Sequence, residues 1–386
     1  MKLSYKIAAV LIVVLTVSTA GFVAYNGTLT NSGPSTEKST ITVTDLEGRS
    51  VTLNVPVERI VLTESSHTPE VAAVYGEGFA DLIVGWDNDF ESYAGDGYAK
   101  FVEKYPELTN IADVGNIDLD TFNIENVIAL DPDVVILQSW MYMWCEDAVK
   151  DAQSKLELAG IPIVFLDFYM DPMGNSPKSM LLLGQIFGKE ARAQEIVDFY
   201  NEQTNLVYSR LASVTGSKPT VYIECAAVTP PEYGISYGDV AHGLIIKLAG
   251  GDNIAVSLLG NSSKALSPEY VVSENPDIVI LTGRNWSTPD SLRLGYAATS
   301  DVATSTMSGF VERPGWETLN AVKNHKVYGV YHGYCFSIYN FAMLQSFAKW
   351  FYPAEFSDVD VNAVLAEYHE RFLPIDYSGT FMFSYY

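Results

Sequence analysis

Short apolar runs rich in β-branched residues recur along the chain at Ile60–Leu62, Leu82–Val84, Val134–Leu137 and Ile163–Leu166. They return in the second half at Val221–Ile223, Ile278–Leu281 and Val327–Val330. Each run is too short for a helix and most lack polar alternation, which predicts strands buried on both faces. Helical segments fall between most of them, the order that builds parallel α/β sheets. Between the two groups, Lys189 to Val214 has no Gly or Pro and places Ile196, Phe199, Leu206, Val207 and Leu211 at roughly helical spacing. At ~1.5 Å per residue a helix there runs for roughly 38 Å, enough to join two lobes as one strut. Gly216 and Pro219 close it and start the second lobe.

The pattern also repeats. Residues 124–137 read IENVIALDPDVVIL and residues 268–281 read PEYVVSENPDIVIL, with Glu269 lying 269 − 125 = 144 positions after Glu125. In each copy the Glu opens a short helix, where the positive N-terminal end favours a carboxylate. Pro132 and Pro276 then end the helix, and a β-branched run forms a buried strand. Two matching copies imply two similar lobes. The chain of 386 residues is itself too long for one ordinary core.

The N-terminus stands apart from this pattern. Lys2 and Lys6 flank an apolar run from Ile7 to Val17, followed by Ser18, Thr19 and Ala20, the basic, apolar, small-residue order of a secretory signal. The weakly apolar stretch continues to Ala24, so residues 1–24 read either as a cleaved signal or as a retained membrane anchor. Residues 25–40 are polar and rich in Gly, Ser and Thr, the composition of a flexible tether.

Composition narrows the function. With 48% apolar and 18% charged residues the chain is globular, and its net charge of −24 argues against a nucleic-acid partner. Three cysteines without a CxxC pair exclude a disulfide framework and a structural zinc cluster of ordinary spacing. They read as unpaired buried thiols, or as one disulfide and a spare. No Walker loop, GxSxG, HExxH or strand-following GxGxxG is present, and Asp87 with Asp89 carries no weight as a catalytic dyad in so acidic a chain. An enzyme is not expected.

Four segments in order carry a resemblance: DLEGRSVTLNVPVERIV at 45–61, the two Glu…Pro-Asp segments, LIIKLAGGDNIA at 244–255 and RPGWETLNAVKNHKVYGV at 313–330. From about Ile41 onward the chain resembles the periplasmic-binding-protein family for iron–siderophore, cobalamin and haem uptake. The resemblance implies two Rossmann-like α/β lobes with parallel sheets, joined by one long helix, with a ligand cleft between them. The expected division is an N-terminal lobe at 41–172, connecting helices at 173–216 and a C-terminal lobe with a helical extension at 217–386. It also implies an exported, monomeric substrate-binding component that delivers a metal-chelate ligand, with no covalent cofactor, to an ABC permease dimer and its ATPase at the membrane. Haem, cobalamin, a bare metal, or a non-transport adhesin or sensor on the same fold are the alternatives. In the family, a Glu on top of each lobe docks into Arg pockets of the permease; the matched positions here are Glu125 and Glu269. The other reading is a helix-terminal carboxylate with no partner. The chain departs from simpler members in its extension from Phe351 to Tyr386 and in lacking a lipidation cysteine before Cys145.

Ligands of open α/β sheets bind beyond the carboxyl ends of the strands. The loops there contain His67, Trp86, Asp87, Tyr142, Trp144, Tyr237, His242, Arg284, Trp286 and Tyr334, the candidate ligand contacts. Each has a structural alternative: His67 as a helix cap, the Trp140–Trp144 cluster as a cover for the first sheet, Arg284 as half of an internal salt bridge. His325 reads as solvated, and His369 as a surface residue of a C-terminal helix. A bare-metal binder requires a fixed ligand set, part of which His67, His242 and His332 can supply; the sequence leaves any metal site unknown.

Overall fold

The computed structural model describes residues 39–386; the expected signal or anchor and nearly all of the expected tether lie outside them. Ser39 and Thr40, placed in the expected tether, instead belong to strand β1 (Ser39–Thr44), paired antiparallel with β2 (Ser50–Val55). Asp45 shapes the connecting turn by accepting from the Glu47 and Arg49 amides at 3.1 and 2.9 Å. The turn is hooked onto the first lobe, where the Leu46 amide donates to the Phe165 carbonyl at 3.0 Å.

The first lobe is built on β3 (Ile60–Leu62), β4 (Ile83–Trp86), β5 (Ala112–Asp113), β6 (Val134–Gln138) and β7 (Ile163–Leu166). They form one parallel sheet in the order β5-β4-β3-β6-β7. Strand order reverses between β3 and β6, the crevice where such sheets bind ligands. The second lobe contains β8 (Thr220–Cys225), β9 (Ile235–Tyr237), β10 (Asp252–Asn253), β11 (Ser263–Ala265), β12 (Ile278–Gly283), β13 (Val327–Tyr331) and β14 (Met382–Ser384). Its sheet runs β10-β8-β12-β13-β14, parallel except for β14, while β9 and β11 pair antiparallel. The apolar runs are therefore strands, and only the second is displaced, starting at Ile83 rather than Leu82.

The sequence repeat is a structural repeat. The short helices Ile124–Ala129 and Pro268–Glu274 lead into β6 and β12. Both end two or more residues before the proline, and the residues preceding the prolines, Asp131 and Asn275, take left-handed φ of 47° and 48°. Short polar side chains tolerate that region, and the proline disfavours a right-handed helical residue before it. The matched aspartates act alike. Asp133 accepts from the Glu58 and Arg59 amides at 2.9 and 3.0 Å, and Asp277 from the Thr220 amide at 3.0 Å, each tying its strand to the entry of the neighbouring one.

The helices Pro172–Phe187 and Glu190–Leu211 join the lobes, separated by Gly188 in the left-handed conformation. The second buries Ile196, Phe199 and Val207, with Phe199 5.7 Å from Phe341 of the helix Asn340–Phe351. Asn340 Nδ2 donates back to the Pro172 carbonyl at 2.6 Å. The C-terminal extension, with the helix Val361–Phe372, crosses to the first lobe, where Lys100 and Lys104 donate to the carbonyls of Asp376 and Pro374. All three cysteines are free thiols, and among the described residues no helix is long and apolar enough to cross a membrane.

Candidate functional site

A cavity of about 340 Å³ lies between the lobes, within the range of small-molecule sites. Two kinked helices shape its first-lobe wall. Asp89–Lys104 breaks at Ala94 and Trp140–Leu158 breaks at Cys145, so the segment Trp140–Cys145 is the start of a helix rather than the expected loop. The kinks leave Tyr93 and Trp144 at the rim, 42% and 56% exposed. Trp144 packs against Trp140 and Tyr169 at 5.4 and 5.3 Å, and Tyr169 stacks on Phe336 of the second lobe at 5.0 Å and 12°, an aromatic bridge across the cleft.

The second-lobe wall centres on Arg284, one residue beyond β12. The residue is 8% exposed, and its guanidinium sits 5.3 Å from the Tyr93 ring and 4.7 Å from the Trp286 ring. Among the described residues it has no carboxylate partner, so the salt-bridge alternative fails, and both Arg284 Nε and Trp286 Nε1 are buried without an acceptor. Two unmet donors in an aromatic setting suit an anionic oxygen.

Opposite lie Glu64, Asp89 and the exposed Asp118. Burial first, then the charge of Glu64, pushes Asp87 up to about 7 and Asp89 higher still. The folded pair therefore holds protons that the unfolded chain releases above about pH 4. The pair's contribution to stability therefore falls as pH rises from there through neutrality. Asp89→Asn is accordingly expected to stabilise the protein by about 1–2 kcal/mol at pH 8 and by almost nothing at pH 4. Thermal melts at the two pH values check this; equal shifts at both would contradict it.

Of the ten candidate contacts, His67, Trp144, Arg284, Trp286 and Tyr334 line the cavity. Trp86, Asp87, Tyr142, Tyr237 and His242 do not. Trp86 packs inside the first lobe beside Tyr98. Asp87 clamps the turn after β3 by accepting from the Ser65 amide at 2.8 Å. Tyr142 faces away, stacked on Phe165 with its hydroxyl donating to Gln153 Oε1. His242 is fully buried behind the wall, stacked at 4.6 Å on His332 and also 4.6 Å from Tyr237. Burial lowers His242 to about 3 and His332 as well, so both imidazoles are neutral. His332 lines the cavity with its Nδ1 held by Thr282 Oγ1 at 2.8 Å.

His67 makes no side-chain cap for the helix Thr68–Tyr75. It stacks on Phe168 at 4.6 Å with Nδ1 3.7 Å from Glu70 Oε2. Burial opposes its charge, but Glu70, Glu64 and Asp87 together raise its pKa. His369 is a correction: instead of lying on the surface it is 2% exposed and lines the cavity's inner end, because its helix is covered by the last segment of the chain. Sequence reading also passed over Glu70, Tyr93, Tyr296 and Tyr339. Glu70 and Tyr93 belong to helices that follow β3 and β4, so extending the strand-end rule by one helical turn finds them; Tyr339 had no local signal. Among the described residues, no three His, Cys, Asp or Glu side chains gather as a cation site.

Comparison with known proteins places this geometry. The pattern of the family described as periplasmic binding protein matches residues 71–331. The molybdate-binding protein MolA of Haemophilus influenzae is 24% identical over 361 residues, covering 87% of this chain and 91% of that protein. The high-affinity heme uptake system protein IsdE of Staphylococcus aureus is 26% identical over 206 residues, 53% of this chain and 62% of that one. Among solved structures, the TroA-like periplasmic binding protein FepB from Veillonella parvula is 36% identical, with a TM-score of 0.84 over 89% of this chain and 99% of that one.

Proposed function

Since the chain belongs to the periplasmic binding protein family, we propose that its cargo is a small metal chelate with an anionic oxygen that seats on Arg284. The chain is the extracytoplasmic substrate-binding component of an ABC importer and not an enzyme. The observation that carries the cargo reading is the buried, unpaired Arg284 held between Tyr93 and Trp286. Aromatic walls suit the flat or curved organic face of a chelator, and the carboxylates of Glu64 and Asp118 opposite suit a centre of positive charge. A bare oxyanion is the second reading. The same open donors and the name of MolA favour it, but a tetrahedral ion would fill only a small part of the cavity.

Titration with ferric catecholate, ferric citrate, haemin and molybdate, read by tryptophan fluorescence, visible spectrum and metal analysis, separates these readings. A chelate is expected to saturate and to quench Trp144 and Trp286, and the quenching is expected to shrink in Trp144→Phe and Trp286→Phe. Trp86→Phe should leave it unchanged, because Trp86 lies inside the lobe. Saturation by molybdate with no chelate bound would overturn the chelate reading in favour of the oxyanion.

For delivery, we propose that Glu125 and Glu269 dock onto the permease. Both are exposed in the first turn of matched helices on different lobes. Asn123 and Ser267 already cap those helices, accepting from the Asn126 and Tyr270 amides at 2.9 and 3.2 Å. Capping therefore does not account for the two carboxylates. Reversing both, Glu125→Lys with Glu269→Lys, is expected to lower stimulation of the importer's ATPase about tenfold while cargo affinity and folding hold. Normal stimulation by the double variant would return both residues to a structural role.

A further inference from the structure

Past its aromatic rim the cavity ends in a chamber where the protein leaves hydrogen-bond acceptors unmet. Glu70 is 1% exposed and its Oε1 accepts from the Ile338 amide of the other lobe at 3.2 Å. Its Oε2 is buried without a hydrogen bond, the His67 imidazole standing off at 3.7 Å. The Tyr339 hydroxyl, also facing the cavity's inner end, is buried and unpartnered. His369 Nδ1 donates to the Leu365 carbonyl at 2.8 Å, so its Nε2 accepts from the Tyr296 hydroxyl at 2.9 Å, which leaves the Tyr296 oxygen open as an acceptor. Beside Tyr296, Asp96 Oδ2 accepts from the Ala297 amide at 3.3 Å while its Oδ1 is buried and unmet.

The balance is therefore one buried carboxylate lining the chamber, Glu70, whose Oε2 accepts no hydrogen bond and faces only the His67 imidazole at 3.7 Å, with the phenol oxygens of Tyr296 and Tyr339 beside it and Asp96 behind the wall. His67 is the one cationic group within ion-pair distance of Glu70 among the described residues. A buried carboxylate oxygen without a donor is costly. An anionic arm would add repulsion, and an apolar arm would leave the oxygens unmet. A primary ammonium, with three donors and a positive charge, meets both the geometry and the field.

We propose that this chamber is a subsite for a hydrogen-bond-donating, cationic arm of the cargo, with Glu70 as its counter-ion. The inference rests on the chelate reading above and extends it: the cargo is bipolar, its anionic oxygen on Arg284 at the rim and an ammonium arm at Glu70 inside.

The test uses two probes, the ferric complex of a linear trihydroxamate with a free terminal amine and the same complex with that amine acetylated. The full chain is expected to prefer the free amine by about tenfold or more. Glu70→Gln should bring the ratio within about twofold of unity, and Tyr339→Phe should lower it by a smaller factor, which keeps the test open if the Glu70 variant folds poorly. Equal binding of both probes, as a water-filled chamber would give, overturns the subsite and leaves the chelate reading standing. A preference that survives Glu70→Gln also overturns it. Binding of neither probe overturns the subsite, and if ferric catecholate, ferric citrate and haemin also fail to saturate, the chelate reading falls with it.

Discussion

Arg284→Met is expected to weaken cargo binding by about 2–5 kcal/mol, roughly 30-fold to several thousand-fold, without destabilising the empty protein. The two halves of this expectation have one cause. In the empty cleft the guanidinium is buried, makes no ion pair and leaves Nε without an acceptor, so its desolvation is offset only by the Tyr93 and Trp286 faces. Methionine removes that cost and keeps much of the volume, so the melting temperature should hold or rise. Once cargo is bound, the same change leaves its anionic oxygen buried and unpaired. Arg284→Lys should recover only part of the affinity, because a point charge on a flexible stem does not reproduce the planar fork. Calorimetric titration with parallel thermal melts reads both quantities. Loss of affinity accompanied by an equal loss of stability would show that Arg284 is structural.

The opposite outcome is expected at Arg313. Its side chain and that of Glu224 are 1% and 0% exposed, and they pair through two hydrogen bonds of 2.7 and 2.8 Å. Glu224 also accepts from the Tyr222 hydroxyl and the Gly234 amide, and Arg313 donates to the carbonyls of Pro230 and Glu232 while packing on Tyr233, Phe310 and Trp316. The pair therefore pins the loop after β8 to the second lobe's core. Arg313→Met should cost about 3–5 kcal/mol, because it leaves Glu224 charged and buried with no cation. Adding Glu224→Leu should recover part of that loss, since the uncompensated charge is then gone. Denaturant midpoints of the single and double variants check this. A cost below about 1 kcal/mol for the single change would place water at the pair.

The two arginines were not separable by sequence. Both follow an apolar segment and precede a tryptophan closely, in RNW at 284–286 and RPGW at 313–316. One became a load-free charge facing the cleft and the other the centre of a buried network. What separates them is the position of Glu224, 89 residues away from Arg313 in the chain. No comparable carboxylate reaches Arg284 among the described residues.

Much of the architecture, by contrast, was legible. Strand-forming runs, the Glu…Pro-Asp repeat and the gap-free stretch before Gly216 are properties of consecutive residues, and local sterics and burial periodicity act on consecutive residues. They were enough to predict two parallel sheets, the matched helices at Glu125 and Glu269, and the helix joining the lobes. The strand-end rule also named five residues that line the cavity. It misplaced Trp86, Tyr142 and His242 because a loop's position along the chain does not say which way each side chain turns.

Tertiary packing decided the rest. Kinks at Ala94 and Cys145 aim Tyr93 and Trp144 over the cleft, although both lie inside helices. The last segment of the chain folds back across the first lobe and buries His369, which its amphipathic neighbours had marked as exposed. The inner chamber joins Glu70 to Tyr339, 269 positions further on, through a contact that exists only when the lobes meet. The sequence by itself determined which segments are strands and helices, because that choice is local; which charged groups are left unpaired between the lobes is set by long-range packing, where each side chain's partner comes from a distant part of the chain.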